Sequence, residues 1–110
     1  MGRYEESLKK VDILVWQTKL IKYIPGKADN PPTYGKVVDD LRYKYGIYIT
    51  VYPEVDIKID SSRQMILRYL GRTLDTNDNQ IIREELVNGN TYEKVMRDCI
   101  DIAIDILENR

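Results

Sequence analysis

The chain has 110 residues, enough for one domain with a single hydrophobic core that needs neither disulfides nor metal. Its 43% hydrophobic and 32% charged residues argue against disorder, and 17 basic against 18 acidic residues, a net charge of −1, exclude a strongly basic nucleic-acid module and a polybasic membrane anchor. Histidine is absent, which removes the commonest general base, the Ser–His and Cys–His nucleophile pairs and most catalytic zinc sites.

Tyr4, Leu8, Val11, Val15 and Ile21 lie close to one 3.6-residue stripe, which predicts a helix over residues 4–24 stopped by Pro25-Gly26. The run Val11 to Trp16 also reads as a short strand, with the helix beginning only after it. Trp16, the one tryptophan, reads as core. Residues 25–32 are a proline-rich loop. Thr33 then caps a helix from Tyr34 to Tyr45, with Val37, Val38, Leu41 and Tyr45 as its apolar stripe and Gly46 as the residue that ends it.

Residues 47–59 alternate strictly. Ile47, Ile49, Val51, Val55, Ile57 and Ile59 take one side; Tyr48, Thr50, Tyr52, Glu54, Asp56 and Lys58 take the other. This is the signature of a half-buried antiparallel strand with its Ile/Val face inward. Pro53 falls in the inward register and predicts an edge strand, a bulge or a bend. Asp60-Ser61-Ser62-Arg63 reads as a turn, and Gln64 to Leu70 as the return strand of a hairpin ending at Gly71. Asp75 to Asn79 reads as a polar turn or loop. Gln80 to Val87 fits a third strand (Ile81, Arg83, Glu85, Val87 on one side) or a short helix, and the strand is favoured because two strands alone are marginal. Thr91 opens a last helix to about Asn109. Tyr92, Val95, Met96, Cys99, Ile100, Ala103, Ile106 and Leu107 form its wide apolar face, and Asp98, Asp101, Asp105 and Glu108 an acidic ridge. Ile102 and Ile104 on its flanks predict burial on more than one side. The expected fold is a single α+β domain over residues 1–110, with a two- or three-stranded antiparallel sheet, two or three helices, and the C-terminal helix covering one face.

Candidate chemistry is sparse. Cys99 is the only cysteine and sits in an apolar helical pattern, which makes it a small buried hydrophobe. The acidic ridge matches no calcium loop and reads as a solvated helix face. Neither GxGxxG nor GxxxxGK[ST] occurs. The conspicuous feature is aromatic: nine tyrosines, no phenylalanine, with Tyr43, Tyr45, Tyr48 and Tyr52 crowding the helix-to-strand junction. Tyrosine anchors protein interfaces and also stacks on bases, and a plain substitute for phenylalanine remains the third reading. The candidate binding residues are Tyr43, Tyr48, Tyr52, Lys58 and Arg68. Glu54 and Asp56 on the same strand face count against nucleic acid.

The string Pro32-Thr33-Tyr34, Val37-Val38, Leu41-Arg42, Tyr45-Gly46-Ile47-Tyr48-Ile49 resembles a recurring small protein of bacteriophages and prophages of gut anaerobes. In those proteins a Pro-Thr-led helix with Leu-Arg is followed by a glycine and an Ile-x-Ile strand, and a Thr-Tyr-Glu triplet opens the last helix, as Thr91-Tyr92-Glu93 does here. Asp40 stands where those proteins carry Trp. The likeness implies a mobile-element origin and a shared fold, and it brings no activity and no site residues.

The expectation is a small acidic protein, pI about 5.5, that is not an enzyme, needs no cofactor or metal, binds a protein partner and is compatible with a homodimer. It would be a phage or prophage accessory protein, for instance an inhibitor of a host or defence protein. The alternative is a nucleic-acid- or nucleotide-binding module using a Tyr/Lys/Arg sheet face. No apolar run approaches the roughly 18 residues a membrane span needs, and Met1 to Glu6 lack the apolar core of a signal peptide. The expected location is the cytoplasm, the host's if the protein is phage-encoded.

Overall fold

The computed structural model describes residues 7–27, 29–57 and 64–110. Ser7 and Leu8 are helical; after them come the helices α1 (Ile13–Val15, continued by a π turn over Trp16–Leu20), α2 (Tyr34–Tyr45) and α3 (Tyr92–Glu108), and the strands β1 (Ile47–Ile57), β2 (Gln64–Asn77) and β3 (Gln80–Gly89). The strands form one open antiparallel sheet in the order β1-β2-β3. The fold is α+β, with α3 laid across one face of the sheet and α2 packed beside β1. No described helix is long and apolar enough to cross a membrane.

The N-terminal segment departs from the single helix its periodicity predicts. Residues 9–11 run extended against 32–34: Val11 N–H donates to the Pro32 carbonyl and Tyr34 N–H to that of Lys9, both at 2.9 Å. Ser7 and Leu8 are helical, the helix is broken over residues 9–12, and it resumes at Ile13, where the Asp12 carboxylate accepts from the Leu14 and Val15 N–H groups and fixes the new start. Thr18 Oγ1 donates back to the Leu14 carbonyl at 2.7 Å, and Ile21 N–H reaches the Trp16 carbonyl, which widens the turn. The buried set is therefore Trp16, Leu20 and Ile24 with Val11, while Leu8 and Ile21 of the expected stripe are exposed. Trp16 is fully buried, its indole N–H donates to the Ile24 carbonyl at 3.3 Å, and its ring lies so close to Gly26 that a Cβ there would sit 2.8 Å from it.

Helix α2 follows its sequence signals. Thr33 accepts from Lys36 N–H, and Gly46 ends the helix at φ +69°, in the left-handed region that glycine adopts without strain. Val37 and Leu41 are buried. β1 follows its alternation, with Ile47, Ile49 and Val51 in the core. Val55, on the same side, lies beyond the helical cover and is exposed. β1 is an edge strand, as Pro53 predicts, and the irregularity falls one residue later: Glu54 pairs with Arg68 and Val55 with Ile66, leaving Leu67 of β2 as the extra residue. The predicted turn at residues 60–63 lies outside the described residues.

Two expectations are corrected in the middle of the chain. Gly71 does not end β2, which continues to Asn77. It pairs with Val51 on one side and Val87 on the other, and a Cβ at this position would stand 2.5 Å from Val95 and 2.6 Å from Cys99 of α3. This glycine marks a close approach of helix to sheet, not a stop. Asp75 to Asn77, expected in a loop, belong to the strand. The turn is Asp78-Asn79 alone, at φ 51° and 64°, values that Asn and Asp tolerate and that tight hairpins require. Gln80 to Gly89 forms the third strand.

Thr91 caps α3 by accepting from Lys94 N–H. The helix is buried on more than one side. Val95 and Cys99 meet the sheet at Gly71, and Ile104 joins the core although it lies on the flank of the predicted stripe. The acidic ridge is engaged by the chain's own lysines: Lys94–Asp98 at 2.9 Å, Lys22–Glu108 at 3.6 Å and Lys19–Asp101 at 3.7 Å. These pairs are exposed, so each contributes little to stability.

Candidate protein-binding face

Strand register sorts the sheet side chains into two sets. Rows Ile49–Thr73–Glu85 and Val51–Gly71–Val87 face the helices. Rows Tyr48–Leu74–Glu84, Thr50–Arg72–Leu86 and Tyr52–Leu70–Asn88, followed by Glu54–Arg68, face the other way. No described helix packs on this second face. Tyr48 and Tyr52 are exposed, and Leu86 is 66% exposed. The result is a face of Tyr and Leu side chains interspersed with paired charges, on three hydrogen-bonded strands.

Two ion pairs lie within these rows. Arg68 Nε donates to Glu54 Oε2 at 3.0 Å, and Arg72 Nε to Glu84 Oε2 at 2.6 Å. Within these rows each arginine is matched by one glutamate.

Of the candidates, the structure brings Tyr48, Tyr52 and Arg68 together here. Lys58 lies outside the described residues. Tyr43 is not part of the group: it sits on α2, 77% exposed, under the Arg42 guanidinium at 4.7 Å from its ring centre. Leu70, Arg72, Leu74 and Leu86 complete the face and escape the sequence reading. Leu70, Arg72 and Leu74 alternate cleanly, but across Gly71, where the strand was expected to stop. Leu86 escapes because the side of β3 carrying Ile81, Arg83, Glu85 and Val87 draws attention first. No protein-family model, no curated protein and no solved structure matches the chain.

The Cys99 thiol is buried, and burial pushes its pKa up, against thiolate chemistry. Thr73 Oγ1 donates to the Cys99 carbonyl at 3.5 Å. Tyr34 is also buried; burial first, then the nearby Glu93 carboxylate, push its pKa up to about 12, with Arg97 opposing. Among the described residues no three Cys, Asp or Glu side chains cluster as a metal site.

Proposed function

We propose that this chain is a non-enzymatic binding protein that engages a protein partner through the open sheet face, as an accessory factor of a bacteriophage or prophage. One observation carries the reading: a face that no described helix covers, which presents Tyr and Leu side chains and whose two arginines are each paired with a glutamate. Exposed aromatic and apolar side chains interspersed with polar ones are typical of interaction sites, and tyrosines anchor such interfaces. The missing histidine and the buried cysteine support the non-enzymatic part. Each arginine on the face meets a carboxylate, so the face offers a polyanion no net attraction.

The test is capture from a lysate of the bacterium that carries the gene, with nuclease present. The native chain is expected to retain a protein that Tyr48→Ala with Tyr52→Ala loses and that Tyr43→Ala keeps. Retention by the double variant would overturn the assignment of the face. Capture that disappears with nuclease or rising salt would transfer the face to nucleic acid.

A further inference from the structure

The two edges of the sheet differ in their protection. β1 carries Pro53, which has no N–H to offer an added strand. β3 contains neither proline nor lysine, the residues that commonly blunt an edge. Among the described residues, no backbone hydrogen bond ties its outer edge to another element. Its one irregularity leaves Ile82 unpaired near the start, and from Arg83 to Gly89 it pairs with β2 without interruption.

A strand of this sequence can pair antiparallel with its own copy about a two-fold axis, and charge selects the register. An axis at Arg83, Glu84 or Glu85 would set that residue against its own like charge. An axis at Leu86 opposes Leu86 to Leu86, Glu85 to Val87, Glu84 to the Asn88 amide and Arg83 to Gly89. No like charges are then directly opposed, and the whole uninterrupted segment is used. An axis at Val87 also avoids opposed charges but shortens the pairing. Arg83 and Glu85 already neutralise one another within the strand at 2.8 Å. The exposed Leu86 side chain would gain an apolar neighbour.

We propose that the protein forms a homodimer by antiparallel pairing of two β3 strands centred on Leu86. This gives a six-stranded sheet with both helical layers on one side and both open faces contiguous on the other. The inference uses the strand edge, so it stands or falls separately from the partner-binding reading, and its test contains no partner.

Sedimentation of the full chain over a concentration series is expected to show the mass rising from 12.9 kDa toward twice that value. Leu86→Lys opposes two cations on the axis and is expected to remain at the monomer mass with an unchanged circular dichroism spectrum. Directly opposed Cα atoms in an antiparallel pair lie about 4.5–5.5 Å apart, within the span a disulfide bridges. Oxidised glutathione should therefore link the two thiols introduced by Leu86→Cys into a covalent dimer, itself being reduced, while buried Cys99 stays silent. Tyr48→Cys, on the same face but on the far strand, should stay monomeric on the gel. A native chain that sediments as a monomer throughout would overturn the proposal. So would a Leu86→Lys chain that dimerises as the native one does, or a Tyr48→Cys chain that links as readily as Leu86→Cys, which would indicate stacked faces.

Discussion

The two faces of the sheet are made by the same strands in the same register, yet the described helices cover only one. On the covered face the centre is Gly71, flanked by Val51 and Val87, and α3 drops into the space so closely that a single methyl group would collide with Val95 and Cys99. On the open face the centre is Arg72, tied to Glu84, with Tyr48, Tyr52 and Leu86 around it. Apolar content alone does not separate them. The covered face has a groove at its middle strand, whereas the open face has long side chains and ion pairs there, which hold a helix backbone off.

That contrast is most easily broken at Ile49, buried beside Tyr48. Ile49→Asp would put a carboxylate among buried Val51, Thr73 and α3, at a cost above about 4 kcal/mol, enough to unfold most domains of this size. Circular dichroism at neutral pH is expected to show loss of the folded spectrum; a cooperative melt close to that of the native chain would refute the register.

Gly71→Ala tests the groove itself. Its Cβ would meet Val95 at 2.5 Å and Cys99 at 2.6 Å, and shifting α3 to relieve this should cost about 1–3 kcal/mol, read as a lower denaturant midpoint. An unchanged midpoint would mean that α3 is free to move outward, and the close approach would no longer explain the cover.

Tyr34 offers a test by pH on the covered side. Its folded-state pKa lies near 12 against an ordinary value of 10.0, because burial and then the Glu93 carboxylate disfavour the phenolate. The folded chain therefore holds this proton more tightly than the unfolded chain does. The resulting stability is present in full below pH 10 and is lost as pH rises toward about 12. Tyr34→Phe should flatten that alkaline decline in denaturant midpoint; an equally steep decline in the variant would place its cause in other groups.

Much of this architecture is legible in the residues because local and tertiary preferences agree. The Thr33 and Thr91 caps, the Gly46 stop and the alternation from Ile47 onward each specify the same structure that packing then favours. The expected α+β class and the cover by the C-terminal helix follow from them. Legibility fails where a local signal is outvoted. Gly71 looks like a stop because glycine usually marks a turn, but here it answers a helix distant in sequence. The stripe from Tyr4 to Ile21 looks like one helix, but pairing of residues 9–11 with 32–34 breaks it after Leu8, and the Asp12 cap restarts it at Ile13. The candidate face is half legible for the same reason: Tyr48, Tyr52 and Arg68 lie on alternations readable alone, while Leu70, Arg72, Leu74 and Leu86 join them only once β2 is known to run through Gly71.

The smallest expected effect sharpens the contrast most. Tyr48 is next to Ile49 in sequence but exposed, opposite Leu74 on the open face. Tyr48→Ala removes one cross-strand contact, which is worth about 0.2–1 kcal/mol. The denaturant midpoint should therefore fall only slightly, and by less than for Gly71→Ala. Such a result would mean that the open face contributes little to holding the fold, so its apolar side chains answer to something outside the monomer. A loss as large as that of Gly71→Ala would make Tyr48 a structural member of the sheet and remove the argument that the face is kept for a partner.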